Sequence, residues 1–178
     1  IKKTFRTLVK PYSNKKFLND EFLDETSIAI KNSTLGTRKF GIFLSGGIDS
    51  SIVAYELNKH VKSLNSFTNM MEPNEIIDGE DHNSDANVAN LFSKQLNFNH
   101  KEVKITPNVI SESWEQTINT IEEPRYNWNL PMYYFTNKIL SQNNIVVTMS
   151  GDMGDELYGG YSKNFRIKNI INKPKKWD

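Results

Sequence analysis

Residues Arg38 to Ser51, RKFGIFLSGGIDSS, decide the fold. Phe40 to Leu44 are nearly all apolar, as a central parallel strand covered on both faces must be. That strand stops on Ser45-Gly46-Gly47, and Asp49, Ser50 and Ser51 follow at the head of a helix read from about Ser50 to Lys59. The glycines admit positive φ and close approach of a ligand. Backbone N–H groups gathered at a helix N-terminus favour an anion, and the serine hydroxyls add neutral donors. The Walker pattern is excluded because its Gly-Lys-Ser/Thr is missing. Asp49 needs a different reason. A carboxylate beside a polyphosphate is repulsive unless a cation bridges them, and Mg²⁺ takes one or two carboxylates together with phosphate oxygens. The loop therefore predicts a magnesium and a second acid elsewhere. Ordinary turn and N-cap chemistry also accounts for such a junction, and both readings stand on this loop alone.

Outward from that stretch, strands and helices alternate. Phe22, Leu23, Thr26 and Ile30 fall at helical spacing between Asp20 and Ser33. After the first strand, Ile52, Val53 and Leu57 are available to pack on a sheet, and Ser63–Asn69 reads as a second strand. Residues 70–84 are acidic and turn-rich, the pattern of a long surface loop. A helix capped by Ser84 or Asp85 follows, then a strand over His100–Thr106 and a helix from Pro107 to Ile121. Pro131 stands in the first turn of another helix, and Asn144–Ser150 is the last strand. This order predicts an α/β fold, a doubly wound, mostly parallel sheet with helices on both faces.

Such sheets bind ligands beyond the carboxyl ends of the strands, where the winding reverses. Residues 45–51 occupy one such end. Ser150–Tyr161, SGDMGDELYGGY, occupy another and supply Asp152, Asp155 and Glu156. Acids at a helix start also serve as simple dipole complements. Two such loops in one domain favour a shared Mg²⁺ closed on by one acid from each.

The 178 residues carry 22 basic and 21 acidic side chains, a net charge of +1, which makes no case for nucleic acid or a membrane as partner. There is no cysteine, so disulfides, thiolate metal sites and a thiol nucleophile are excluded within the chain. No apolar run is long enough to span a bilayer, and the N-terminus lacks the apolar core of a signal peptide, so a cytoplasmic setting is expected. The first residue is Ile1, and the expectation is a piece of a longer protein. The expected division is an irregular segment over 1–19, one nucleotide-binding domain over 20–165 and a basic tail over 166–178.

The stretch FLSGGIDSS resembles the PP-loop of ATP-pyrophosphatase-type enzymes. Together with SGDMGDELYGGY and IEEPRYNWNLPMYYFTNKI (Ile121–Ile139), it resembles the synthetase domain of glutamine-hydrolysing asparagine synthetases, over about residues 20 to 165. The resemblance implies an adenine nucleotide alpha hydrolase-like fold, with ATP and Mg²⁺ as cofactors. It implies activation of the aspartate side-chain carboxylate as an acyl-adenylate, release of pyrophosphate, and amide formation with ammonia. By the same resemblance Ser45, Gly46, Gly47, Asp49 and Ser50 hold the pyrophosphate end, and Asp49 and Asp155 are the metal-holding, catalytic acids. Leu44, Ser150 and Gly151 meet the nucleoside, and Asp152 lies near the adenylate. Implied partners are ATP, aspartate or a related carboxylate, ammonia, and a separate glutaminase domain or subunit; a homodimer is one assembly left open. Another PP-loop activator, forming a β-lactam or macrocyclic amide, and a non-catalytic nucleotide-binding remnant remain alternatives.

The sequence departs from that family's pattern in several places. Met153 stands where a small residue is usual, and Asn69-Met70 replace an apolar residue and a glycine expected beside adenine. The 70–84 loop is longer and more acidic, and the Glu-Pro segment is one residue shorter. No cysteine supplies a glutaminase nucleophile, and nothing aligns Lys163, Lys168 or Lys173 with the family's lysine beyond the Gly-Gly-Tyr stretch. His60, His82 and His100 lack metal-ligand spacing and are read as solvated or structural. Trp114, Trp128, Tyr133, Tyr134 and Phe135 are read as packing residues, and Lys173, Lys175 and Lys176 as a solvated cluster.

Overall fold

The computed structural model describes residues 19–36, 38–72, 76–77, 80–123, 125, 127, 129–158 and 160–161. The segment before Asn19, the tail with its lysines and Trp177, and Pro124 and Trp128 lie outside the described residues. The elements run α1 (Asn19–Ser33), β1 (Phe40–Phe43), α2 (Ile48–Asn58), β2 (Asn65–Met71), β3 (Ile76–Ile77), β4 (Glu80–Asp81) and α3 (Ser84–Gln95). They continue with β5 (Asn99–Ile105), α4 (Pro107–Ile121), α5 (Asn129–Gln142), β6 (Val147–Met149) and α6 (Gly154–Tyr158).

β5, β2, β1 and β6 form, in that order, a four-stranded sheet whose pairings are all parallel. Alternation along β1 divides the core between its two faces. Ile42, with Leu44 just beyond the strand, packs with Ala54 and Leu57 of α2, Ala89 of α3 and Ile30 of α1. Phe43 joins Phe67, Val103, Ile105, Leu140 and Ile145 on the face covered by α4 and α5. Gly41 allows that second face to close, since a Cβ there would lie 2.9 Å from Ile145 Cγ2. The expected doubly wound α/β sheet is thus observed.

Local corrections have identifiable causes. β2 runs on to Met71, and the 70–84 segment holds a short antiparallel β3–β4 ladder. The buried Asn83 amide replaces a strand partner at the end of β2. Its Oδ1 accepts from Met71 N at 2.8 Å and its Nδ2 donates to Met71 O at 2.9 Å. The N-cap of α3 is therefore Asn83 rather than Ser84 or Asp85, and its side chain, spent on β2, makes no capping bond. Thr106 caps α4 in the usual way, accepting from Val109 N at 3.2 Å with Pro107 at the first helical position. Of the α2 residues expected on the sheet, Val53 and Leu57 pack there, whereas Ile52 is 40% exposed.

His100 is structural, as its spacing suggested. Its Nδ1 lies 2.9 Å from the buried Ser66 Oγ, and Nε2 is buried with no hydrogen-bond partner among the described residues. Burial holds the imidazole below its usual pKa. The unfolded chain therefore binds more protons than the fold as pH drops through the free histidine value of about 6.5. The stabilisation is present above that value and is lost as pH falls toward the depressed folded value. Urea midpoints are expected to decrease from pH 7.5 to 5.5, with a shallower slope in His100→Asn, whose amide keeps the contact to Ser66. Glu56, held low mainly by its hydrogen bond from Lys59, loses its contribution only below the ordinary carboxylate range and leaves this window clear.

Candidate active site

The connections leaving the sheet reverse direction between β1 and β6, which makes their carboxyl ends the switch point. A cavity of about 390 Å³ opens there. Ser45, Gly47, Asp49 and Ser50 line it from the first loop, and Ser150, Gly151, Asp152, Gly154 and Asp155 from the second. Phe43, Ile48, Tyr133, Met153, Glu156 and Tyr161 also line it.

The first loop is held by its own hydroxyls. Ser45 Oγ and Ser50 Oγ are 2.9 Å apart, Ser45 N donates to Ser50 Oγ at 3.2 Å, and Ser51 Oγ donates to Gly47 O at 2.8 Å. Gly47 is the N-cap of α2 and carries no side chain to cap it, so the first N–H groups of the helix are left to a ligand or solvent. Gly46 sits at φ +91°, and its Cβ position is taken by the Asp85 carbonyl at the start of α3. That glycine is needed to turn the loop against α3, and it lines the neighbouring groove rather than this cavity. Leu44 also stays out of the cavity: its side chain is buried in the α2-side core, and its carbonyl accepts from the Thr68 hydroxyl.

Glycines of the second loop press both acids into place. A Cβ on Gly154 would fall on the Asp49 carboxylate, and one on Gly160 would fall on that of Asp155. Gly151 lies directly against the Asp49–Ser50 backbone. Ser150 Oγ donates to Asp152 Oδ2 at 2.7 Å, which orients that carboxylate within the turn. Tyr161 OH donates to Glu156 Oε1 at 2.7 Å. That hydrogen bond, with burial and nearby acids, raises the Tyr161 pKa; burial first and Asp152 second raise that of Tyr133. Both phenols are neutral hydrogen-bond donors at ordinary pH.

The structure brings Ser45, Gly47, Asp49, Ser50, Ser150, Gly151, Asp152 and Asp155 to one cavity and leaves Leu44 and Gly46 beside it. Tyr133, read from the sequence as packing, lines the wall, edge-on to Phe43 with centroids 6.2 Å apart at 83°. The signal for it was its place two residues after Pro131, at the end of α5 that opens onto the same strand ends.

The asparagine synthase family model matches residues 21–177. The chain belongs to the asparagine synthase family. Its relatives include a putative glutamine-hydrolysing asparagine synthetase 1 of Methanocaldococcus jannaschii, 28% identical over 83% of this chain and 26% of the relative. The glutamine-hydrolysing asparagine synthetase of Rattus norvegicus is 31% identical over 75% of this chain and 24% of the relative. This asparagine synthase-family chain thus spans about a quarter of the length of these curated relatives.

Solved structures agree on the fold. The glutamine-dependent NAD⁺ synthetase of Acinetobacter baumannii, in complex with ADP, superposes with TM-score 0.55 at 14% identity, over 85% of this chain and 30% of that one. The NMN synthetase of Francisella tularensis gives 0.52 at 19% identity, over 84% and 61%.

Proposed function

We propose that this chain is the ATP-binding part of an asparagine synthetase-like ligase that activates the aspartate side-chain carboxylate. In the proposed step one carboxylate oxygen bonds to the α-phosphorus of ATP. The bond from that phosphorus to the bridging oxygen breaks, and pyrophosphate leaves with the electron pair. Ammonia then attacks the acyl carbon, loses a proton and expels AMP, giving the amide.

One observation carries this reading: two acids from two loops, each confined by a glycine, face one cavity at the switch point. Among the described residues the lining includes Asp49, Asp152, Asp155 and Glu156 and no lysine, arginine or histidine. A polyphosphate enters such a site only with divalent cations to offset like charge. The donor set fits magnesium, since carboxylate and hydroxyl oxygens are hard ligands and, among the described residues, no imidazole or sulfur from cysteine lines the cavity. Among the described residues no group of three or more histidine, cysteine or acidic side chains gathers for a metal, and Mg²⁺ with phosphates needs only one or two. Asp49 and Asp155 would hold it, and it would offset charge on the phosphates. The N-terminus of α2, with Ser45 and Ser50, would bind the pyrophosphate end. Ser150 and Gly151 would border the nucleoside, and Asp152 the adenylate. A glutaminase partner supplying ammonia and a cytoplasmic setting belong to the same proposal; among the described residues no helix is long and apolar enough to cross a membrane.

The test is exchange of labelled pyrophosphate into ATP. Aspartate-dependent exchange is expected with Mg²⁺, is lost on EDTA treatment and returns when Mg²⁺ is restored. A folded chain that binds MgATP but shows no exchange would reduce the proposal to nucleotide binding.

A further inference from the structure

Met153 is the anomaly within the site. Its backbone lies at φ +76°, a left-handed conformation that an unbranched L-residue tolerates only at a cost. Core packing does not explain the side chain, which is 60% exposed. Strained residues held in place cluster where a ligand must be met, and Met153 lines the cavity. Its position is firmly set, because Asp152 before it is hydrogen-bonded to Ser150 and Gly154 after it abuts the Asp49 carboxylate. Tyr133 lines the same cavity, braced edge-on by Phe43. A thioether and an aromatic ring thus join Phe43 and Ile48 as the apolar members of a lining otherwise rich in acids and hydroxyls.

We propose that Met153, working with Tyr133, is a specificity-determining residue that limits the length of the carbon chain carried by the carboxylate substrate. The inference rests on the carboxylate-activating reading above. The carboxylate, rather than adenine, is the group concerned for a geometric reason. Met153 stands between Asp152, proposed to border the adenylate, and the glycine touching Asp49, proposed to hold the metal. The attacking carboxylate must reach the α-phosphorus there, whereas the base lies a ribose away. A flexible thioether at that point fills space that a longer acid would need.

The experiment is pyrophosphate–ATP exchange with aspartate, glutamate and 2-aminoadipate, each one methylene longer than the last, for wild type, Met153→Ala, Met153→Gly and Met153→Leu. One methylene in a fitted pocket changes discrimination by about tenfold or more. The ratio of longer to shorter acid is expected to rise by about that factor in the alanine and glycine variants, and to stay near wild type in the leucine variant, which keeps the volume. Glycine also accepts the left-handed backbone, so one small variant remains folded if alanine is strained. An unchanged ratio, a loss common to all three acids, or a shift only in ATP-over-GTP preference overturns the role assigned to Met153. Failure of the carboxylate-activating reading looks different: folded wild type then gives no exchange with any of the acids, and the inference falls with it.

Discussion

Asp49→Asn is expected to lower aspartate-dependent pyrophosphate exchange by about 10²–10³-fold, the scale for removing one electrostatic group that acts on a reacting phosphate or oxyanion. Asparagine has nearly the shape of aspartate, so it fits against Gly154, where a Cβ would already strike the carboxylate. Only the charge is removed. Stability responds weakly because two effects oppose each other. Asp49 lies in the first turn of α2 and complements its dipole, worth about 0.3–1 kcal/mol. It also shares a cavity with Asp152, Asp155 and Glu156, and neutralising it relieves like-charge repulsion. The urea midpoint should therefore move little while the apparent Mg²⁺ requirement rises. Asp49→Glu should fare no better: it restores the charge but adds a methylene where Gly154 leaves no room. Asp155→Asn should repeat the pattern, with Gly160 as the confining neighbour. Normal exchange in either asparagine variant would remove the metal-holding role from that acid.

Legibility in the sequence followed the strength of the physical constraint. A strand buried on both faces must be apolar throughout, so Phe40–Leu44 read clearly, and the helix from Pro107 to Ile121 was placed at the bounds it has. The two acidic, glycine-rich loops could be placed at one cavity because strand alternation fixes which ends of the sheet they occupy. Non-local packing was not legible. Gly46 looked like a phosphate-facing glycine, yet the Asp85 carbonyl, far along the chain, is what demands it. Asn83 looked like part of a surface loop, whereas its amide closes the end of β2. Tyr133 sat in an aromatic run that any buried helix face would explain, and only the tertiary arrangement turns it to the cavity. Met153 was visible as an unusual residue; its left-handed backbone was not, because φ depends on how the loop is pinned at Gly151 and Gly154.

That pinning makes Gly151→Ala a damaging small substitution in the site. Gly151 does not occupy a left-handed backbone, so alanine is conformationally acceptable there and the effect is one of contact alone. Its Cβ would come within 2.9 Å of Asp49 C and Ser50 Cα, and closer still to Ser50 N. These are backbone atoms and cannot rotate away. The first turn of α2 cannot retreat either, since Ala54 and Leu57 of the same helix are fully buried in the core. The second loop must then move, carrying Asp152 and Asp155 away from Asp49. Overpacking of this kind costs about 1–3 kcal/mol, and a displacement of about 1 Å at reacting groups costs about 10²-fold in rate. The expected result is a lowered urea midpoint together with exchange reduced by about two orders of magnitude. Gly47→Ala is the control for stability: its Cβ would meet only Ser45 Oγ, at 3.4 Å, an ordinary contact. If Gly151→Ala unfolds at the same urea concentration as Gly47→Ala and keeps full exchange, the two loops are not pressed together as described, and the shared site of Asp49 and Asp155 loses its structural basis.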